Sequence, residues 1–224
     1  MREAGVLDRP PSSRKQSMIK RNLWIWALIA AGSVALAAVL HAQGKPVRVR
    51  VQTELGDIVV EVDQAKAPAT AANFLKYVDA GHYDGGMWHR TVKLDNQPES
   101  TVKIEVIQAG VNPEMAKSGF PPIGLERTSV TGLLHKDSAI SMARGTPDSA
   151  TSGWFICIND QPSLDFGGAR NPDGQGFAAF GRVVTGMDVA RKIQMAPSSA
   201  DRKTNTEAQR LTPPIKILKA ARVP

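Results

Sequence analysis

The stretch VRVRVQTELGDIVVEV, residues 47–62, has the clearest structural pattern in the chain. On both sides of a Leu55-Gly56-Asp57 turn, apolar residues stand at every second position and polar or charged residues stand between them. Period-two alternation is typical of a strand that buries one face, and the glycine-containing turn lets the chain reverse. The stretch therefore predicts a β-hairpin with one face toward a core.

Two helices are predicted farther along the chain. Pro68 suits the first turn of a helix, the apolar residues of 71–78 follow helical spacing, and Gly81 suits a left-handed stop. The second helix is predicted to start near Gly186, and it carries Met187, Ala190 and Ile193 on one face.

Short apolar runs bounded by Gly, Pro, Asn or Asp fill the rest of the chain. They lie at residues 103–108, 139–143, 154–158, 177–184 and 213–223. Many short strands with two helices predict a mainly β fold, a closed β-barrel capped by two α-helices. The polar stretch 196–213 is predicted to be a long surface loop, and no repeat indicates a second domain.

Composition excludes several classes of protein. The chain has 224 residues, 42% of them hydrophobic and 22% charged, which is ordinary for a globular domain. A single cysteine excludes an intrachain disulfide framework and a cysteine-built zinc site. The net charge of +7 is concentrated toward the N-terminus, because residues 1–42 carry six basic and two acidic side chains. The remaining chain is nearly balanced, so we expect no nucleic-acid partner.

The N-terminal segment predicts export. Residues 1–22 are read as a disordered basic leader, and residues 23–42 as a signal peptide cleaved after Ala42. The alternative is an uncleaved membrane anchor, because the uncharged run 23–40 reaches the lower limit for spanning a bilayer. Membrane contact is expected only through that run. Either reading places the domain outside the cytoplasm, in the periplasm or tethered to the inner membrane.

The sequence lacks the motifs of metalloenzymes, of serine hydrolases and of phosphate-binding loops. The four histidines show no metal-ligand spacing, and His135 is predicted to be a hydrogen-bonded structural residue. Cys157 lies in an apolar run and is predicted to be a small buried hydrophobe. No serine lies in a G-x-S-x-G elbow, and the glycine-rich stretch 167–176 lacks the lysine of a phosphate loop. We expect no cofactor and no metal.

Five segments, in order, resemble the cyclophilin family of peptidyl-prolyl cis–trans isomerases. They are WHRTV at 88–92, IEVIQAG at 104–110, SMAR at 141–144 followed by SATSGWFI at 149–156, SLD at 163–165, and FGRVVTGMDV at 180–189. Each segment is weak by itself, and their common register makes the resemblance strong. It covers residues 47–220, and it implies a closed eight-stranded antiparallel barrel, a cyclophilin-like domain over 47–224.

The resemblance also implies an activity and a site. Rotation about an X–Pro bond frees the prolyl nitrogen lone pair, and an always-charged arginine fork can donate to it; Arg90 is predicted to take this role. Gln108 is predicted to hold a substrate backbone group. The residues predicted to bind the substrate are His89, Val106, Trp154, Phe155, Leu164 and Phe177.

Several positions depart from the family pattern. Gly153 replaces a glutamine that contacts the substrate backbone, and Glu105 stands where many relatives have an aromatic residue. Ser163 stands where eukaryotic members often have tryptophan, and Phe177 where many members have histidine. The loop 93–103 is longer than usual and is predicted to cover one rim of the cleft. These departures are expected to slow turnover without abolishing it.

Three functional hypotheses follow. The first is a peptidyl-prolyl isomerase, expected to be a monomer, acting on proline-containing segments of unfolded or exported proteins. The alternative is a catalytically weak or inactive peptide-binding or assembly module that uses the same groove. A third is a membrane-tethered scaffold, which requires the uncleaved segment 23–40.

Overall fold

The computed structural model describes residues 46–224, and eight antiparallel strands in this range close into a barrel. The strands are β1 (Val47–Thr53), β2 (Gly56–Val62), β3 (Met87–Val92), β4 (Val106–Gly110), β5 (Ala139–Met142), β6 (Trp154–Cys157), β7 (Ala178–Thr185) and β8 (Arg210–Val223). Their order around the barrel is β1-β2-β7-β5-β6-β4-β3-β8, and β8 pairs with β1 to complete the closure. Closure leaves no sheet edge unpaired.

Four α-helices accompany the strands: α1 (Pro68–Asp79), α2 (Thr128–Thr131), α3 (Met187–Met195) and α4 (Asn205–Ala208). Two short 3-10 helices lie at Pro113–Ser118 and Pro162–Leu164. The Glu126 carboxylate accepts hydrogen bonds from the first-turn amides of α1, at Ala69 (3.1 Å) and Thr70 (2.7 Å). Gly186 precedes α3 with φ +91°, and an added β-carbon there would collide with the carbonyl oxygen of Asp57. None of the helices in the described range has the length and apolar content needed to cross a bilayer.

The buried apolar residues form two separate clusters. The inner cluster fills the barrel with side chains from all eight strands, α1 and α3, and it is rich in aromatic rings. Phe74 lies 5.3 Å from Trp154 and 5.2 Å from Phe180, between ring centroids. The outer cluster is Val92, Ile104, Val106, Ala139, Phe155, Cys157 and Leu164, with Ala143 and Phe177 against it. Because strand residues alternate between faces, the same strands supply both clusters.

The architecture confirms the predicted closed barrel, its opening hairpin and the two main helices. The loop predicted at 196–213 is wrong at its end, because α4 and the first residues of β8 lie there. The strand at 103–108 starts later than predicted, at Val106. The predicted leader, signal peptide and anchor in residues 1–42 lie outside the described residues.

Candidate active site

Four outward-facing side chains form a row across neighbouring strands. Arg90 of β3 pairs with Gln108 of β4, Gln108 pairs with Phe155 of β6, and Phe155 pairs with Ser141 of β5. Paired residues on one face of a sheet stand within side-chain reach of each other. The register therefore places a guanidinium, an amide and an aromatic ring side by side on the outside of the barrel.

A β-bulge in β3 turns Arg90 toward this outer face. Regular alternation would put Trp88, Arg90 and Val92 on one side of the strand. Trp88 nevertheless belongs to the inner cluster and Val92 to the outer one, and the register with β4 shifts between Trp88 and Arg90. The extra residue, His89, reverses the alternation and re-aims the side chains that follow.

The guanidinium of Arg90 is held by two glutamines. Its Nη1 donates to Oε1 of Gln108 at 2.8 Å, while Nε and Nη2 both donate to Oε1 of Gln209, at 2.9 and 2.6 Å. Gln209 is completely buried, and its own Nε2 donates to the carbonyl of Asn96 at 3.1 Å. Three points of attachment fix the orientation of the fork.

Arg90 stays charged although its surroundings disfavour the charge, and the neighbouring His89 is neutral. Burial, with a smaller effect from the positive charge of Arg170, lowers the pKa of Arg90 to about 10. Arg90 therefore remains protonated at neutral pH. Burial likewise lowers the pKa of His89, so that ring is neutral at pH 7.

The outer cluster forms an apolar floor beside Arg90. Phe155 and Phe177 meet edge to face, with ring centroids 5.5 Å apart. Phe155, Val106 and Leu164 expose only 4%, 3% and 1% of their surface. The floor is therefore closely packed and exposes little apolar surface.

A buried hydrogen-bonded chain supports Phe155 from below. His135 contacts Asp165 through Nδ1 at 2.7 Å and Ser141 through Nε2 at 2.9 Å, and its ring stacks on Phe155 at 6.1 Å. The order Asp, His, Ser is that of a hydrolase triad, but Ser141 has no exposed surface and cannot meet a substrate. The contacts confirm the structural role predicted for His135.

Two loops form the rim of the floor. Arg170, from the loop between Leu164 and Phe177, donates through Nη1 to Oε1 of Gln97 (3.0 Å) and to the carbonyl of Val102 (2.6 Å). Arg144 donates to both carboxylate oxygens of Asp173, and its guanidinium lies 5.1 Å from the centroid of the Phe177 ring. The loops at 93–103 and 165–176 are thus pinned at the edges of the site.

The structure brings together most of the predicted site residues. Arg90 and Gln108 are joined by a hydrogen bond, and Val106, Phe155, Leu164 and Phe177 share the outer cluster. His89 occupies the bulge and packs over Gly110, without a hydrogen bond to Arg90 or Gln108.

Trp154 lies elsewhere, and its predicted place in the substrate pocket needs correction. It is 1% exposed and belongs to the inner cluster, with its ring 5.0 Å from that of Trp88. The reason is the alternation of β6, which points Phe155 outward and therefore its neighbour inward.

Sequence reasoning missed Gln209 and Arg170, because both stand in polar stretches without a pattern. Cys157 is buried as predicted, and burial raises the pKa of its thiol. Within residues 46–224 no group of His, Cys, Asp and Glu side chains could hold a metal ion.

Comparison with known proteins identifies the relatives of this chain. Residues 48–222 match the family model described as cyclophilin type peptidyl-prolyl cis-trans isomerase/CLD. Peptidyl-prolyl cis-trans isomerase cyp18 of Streptomyces antibioticus is 36% identical over 69% of this chain and 87% of its own length. Peptidyl-prolyl cis-trans isomerase A of Dickeya dadantii is 34% identical over 75% and 81%.

A solved structure has the same fold. The crystal structure of a cyclophilin type peptidyl-prolyl cis-trans isomerase from Cryptosporidium parvum superposes with a TM-score of 0.61 at 20% identity. The superposition covers 80% of this chain and 99% of that one.

Proposed function

The chain belongs to the cyclophilin-type peptidyl-prolyl cis-trans isomerases, and from this premise we propose that Arg90 and the outer cluster catalyse the isomerisation. Isomerase activity itself follows from membership of the family. The assignment of roles to individual residues rests on the geometry of the row that links Arg90, Gln108 and Phe155.

The chemistry requires neither a proton transfer nor a covalent intermediate. An X–Pro amide turns slowly because rotation breaks its resonance, a barrier of about 18–20 kcal/mol. As the bond twists, the prolyl nitrogen gains a lone pair that the planar amide does not offer. A donor aimed at this nitrogen binds the transition state more tightly than the ground state, which lowers the barrier.

Arg90 is the donor that fits this requirement. Its fork is held by Gln108 and Gln209, so little reorganisation is needed when the lone pair appears. Gln108 contributes a second contact, because its Nε2 has no hydrogen-bond partner among residues 46–224 and can donate to a substrate carbonyl. The proline ring would rest on Phe155, one strand away from the guanidinium.

The direct test is an isomerisation assay with a proline-containing peptide, comparing the wild type with Arg90→Ala. We expect kcat/KM to fall on the order of 100-fold, as when a preorganised transition-state donor is removed. Arg182→Ala is the matched control, because that strand arginine pairs with Glu61 on the surface. An Arg90→Ala variant that keeps the wild-type rate would refute the role of Arg90.

A second function, peptide binding with little turnover, is favoured by one observation. The apolar floor exposes little surface, with Phe155 4% exposed, and Gly153 has no side-chain amide that could bind the substrate backbone. Calorimetry with the same peptides separates the two functions. Binding without acceleration would favour the module, whereas binding with acceleration supports the enzyme.

We also propose that the protein acts outside the cytoplasm on segments of exported proteins. The basis is sequence alone, namely Lys20 and Arg21 before the uncharged run 23–40. Mass spectrometry of the protein from the cell envelope tests this. A chain that begins at Gln43 supports cleavage and export, an intact N-terminus in the membrane fraction supports the anchor, and recovery of the intact chain from the cytoplasm contradicts both.

A further inference from the structure

Three arginines reach the site, and they differ in how their charge is balanced. Arg144 forms a bidentate pair with Asp173, at 2.8 and 3.0 Å, and Arg144 holds the pKa of that carboxyl at about 2. Arg90 and Arg170, by contrast, make no salt bridge with any carboxylate of residues 46–224. Their partners are neutral amides and a backbone carbonyl.

Arg170 is oriented with donors to spare. Its Nη1 is occupied by Gln97 and Val102, and its backbone amide donates to the carbonyl of Ser163 at 3.1 Å. Its Nε and Nη2 have no hydrogen-bond partner in the described part of the chain. The side chain is half-buried, so these free donors are held in a fixed direction at the rim.

Arg90 and Arg170 are linked through neighbouring residues of one loop, and their positive charges repel each other. Gln209, which holds Arg90, donates to Asn96, and the next residue, Gln97, holds Arg170. The charge of Arg170, after burial, contributes to lowering the pKa of Arg90, so the two cations lie within each other's field. Partly desolvated like charges repel, and an anion placed beside them relieves the repulsion.

The acidic residues of the loop do not supply that anion. Glu99 accepts a hydrogen bond from the amide of Asn205 at 2.8 Å, and neither Glu99 nor Asp95 forms a salt bridge with Arg90 or Arg170. Glu105 accepts from Gln194 and Asn159 instead. Within residues 46–224, no carboxylate forms a salt bridge with either cation at this rim.

We propose that Arg170 binds the side-chain carboxylate of an aspartate or glutamate next to the substrate proline, so that the enzyme prefers acidic segments. A guanidinium fork matches a carboxylate with two parallel hydrogen bonds. The inference rests on the proposed function, because it places the proline over Phe155 and Arg90.

The experiment compares capped peptides that differ only in one residue beside the proline, so that no terminal charge interferes. Glu, Gln and Lys are placed directly before the proline in one series and directly after it in another. We expect kcat/KM for Glu to exceed that for Gln roughly tenfold in one of the series, the size of one hydrogen bond to a charged group. The preference should shrink as salt is added.

Variants at Arg170 assign the preference. Arg170→Gln should bring the Glu-to-Gln ratio to about one, Arg170→Lys should keep a preference for Glu, and Arg170→Glu should reverse it in favour of Lys. A change in sign separates charge recognition from mere loosening of the rim, and thermal melts show that each variant is folded. Arg202→Gln is the matched control, because Arg202 is anchored to the same loop through the carbonyl of Asp95 at 3.3 Å.

Each outcome decides between the two proposals. A wild-type ratio near one in both series, or a ratio that Arg170→Gln leaves unchanged, overturns the acidic preference while the isomerase remains. If no peptide is accelerated, the proposed function fails; calorimetry with the same peptides then decides the preference from the ratio of their dissociation constants.

Discussion

Trp154 and Phe155 are neighbours in β6, and they belong to the two opposite faces of the barrel wall. Trp154 points into an apolar interior, where it meets the rings of Phe74 and Trp88. Phe155 points outward, where its neighbours are His135, Phe177 and the row that contains Arg90. Two consecutive residues therefore serve different purposes: Trp154 packs the core, and Phe155 lines the candidate site.

The two buried tryptophans of the inner face and the polar residues of the outer face differ in their hydrogen bonding. On the inner face, the indole Nε1 atoms of Trp88 and Trp154 have no hydrogen-bond partner within the described residues. On the outer face, Arg90, His135 and Ser141 are all hydrogen-bonded. The two indoles therefore contribute through volume and ring contacts, whereas hydrogen bonds fix the direction of Arg90, His135 and Ser141.

The largest effect is expected inside the barrel. Trp154→Ala should lower the free energy of unfolding by about 3–5 kcal/mol, because it leaves a cavity among the rings of Phe74, Tyr83 and Trp88. Urea denaturation measures the loss. Phe155→Leu is the outer-face comparison, and it should cost less than about 1.5 kcal/mol because the volume is nearly conserved. A loss for Trp154→Ala no larger than that for Phe155→Leu would contradict the assignment of Trp154 to the packed interior.

Periodicity predicted the opening hairpin and the first helix, whereas the closed barrel was predicted from the number of short apolar runs and its eight strands from the family resemblance. The alternation in residues 47–62 and the helical spacing in 71–78 each have one apolar and one polar face, so the buried side is evident. The motifs that resemble the family then placed Arg90, Gln108 and Phe155 correctly in one group.

The face of Trp154 could not be predicted in the same way. The run WFICI at 154–158 is apolar on both faces, because one face is core and the other is the floor of the site. Alternation carries no information where both sides of a strand are buried. The bulge at His89 is equally hidden, because it depends on pairing between strands that are distant in sequence.

Gln209 was missed because its role exists only in three dimensions. It stands 119 residues after Arg90 in a polar stretch, and nothing in the local pattern marks it. Its complete burial and its two contacts with the guanidinium identify it as a positioning residue for the outer face.

The second largest effect is expected from Gln209→Leu, which removes a residue that orients the Arg90 guanidinium. Removing the amide leaves Nε and Nη2 of Arg90 without partners and frees the fork to turn. We expect kcat to fall at least tenfold, because two hydrogen bonds to the guanidinium are lost, with KM nearly unchanged. Gln209→Glu should also lower kcat. Its carboxylate would raise the pKa of Arg90 and compete with the substrate for the donors of the guanidinium.

The isomerisation assay, run with substrate titrations, separates the two parameters. A Gln209→Leu variant that loses stability but keeps the wild-type kcat would show that this glutamine only packs. A loss confined to KM would show that it contacts the substrate.

The smallest effect is expected at Gly153, where the outer face lacks a side chain. A β-carbon added there would meet the β-carbon of Ala143 at 3.6 Å and Nε2 of Gln108 at 3.9 Å, both ordinary contacts. Gly153→Ala should therefore fold, and its free energy of unfolding should rise by about 0.4–1 kcal/mol because the unfolded chain is restricted.

Gly153→Gln adds an amide beside Gln108 and should lower KM a few-fold, about 1 kcal/mol of binding from one hydrogen bond. The comparison of the two variants in the assay isolates the amide, because both remove the glycine and only one adds a polar group. If Gly153→Ala lowers KM as much as Gly153→Gln does, the tighter binding comes from restriction of the backbone and not from the added amide.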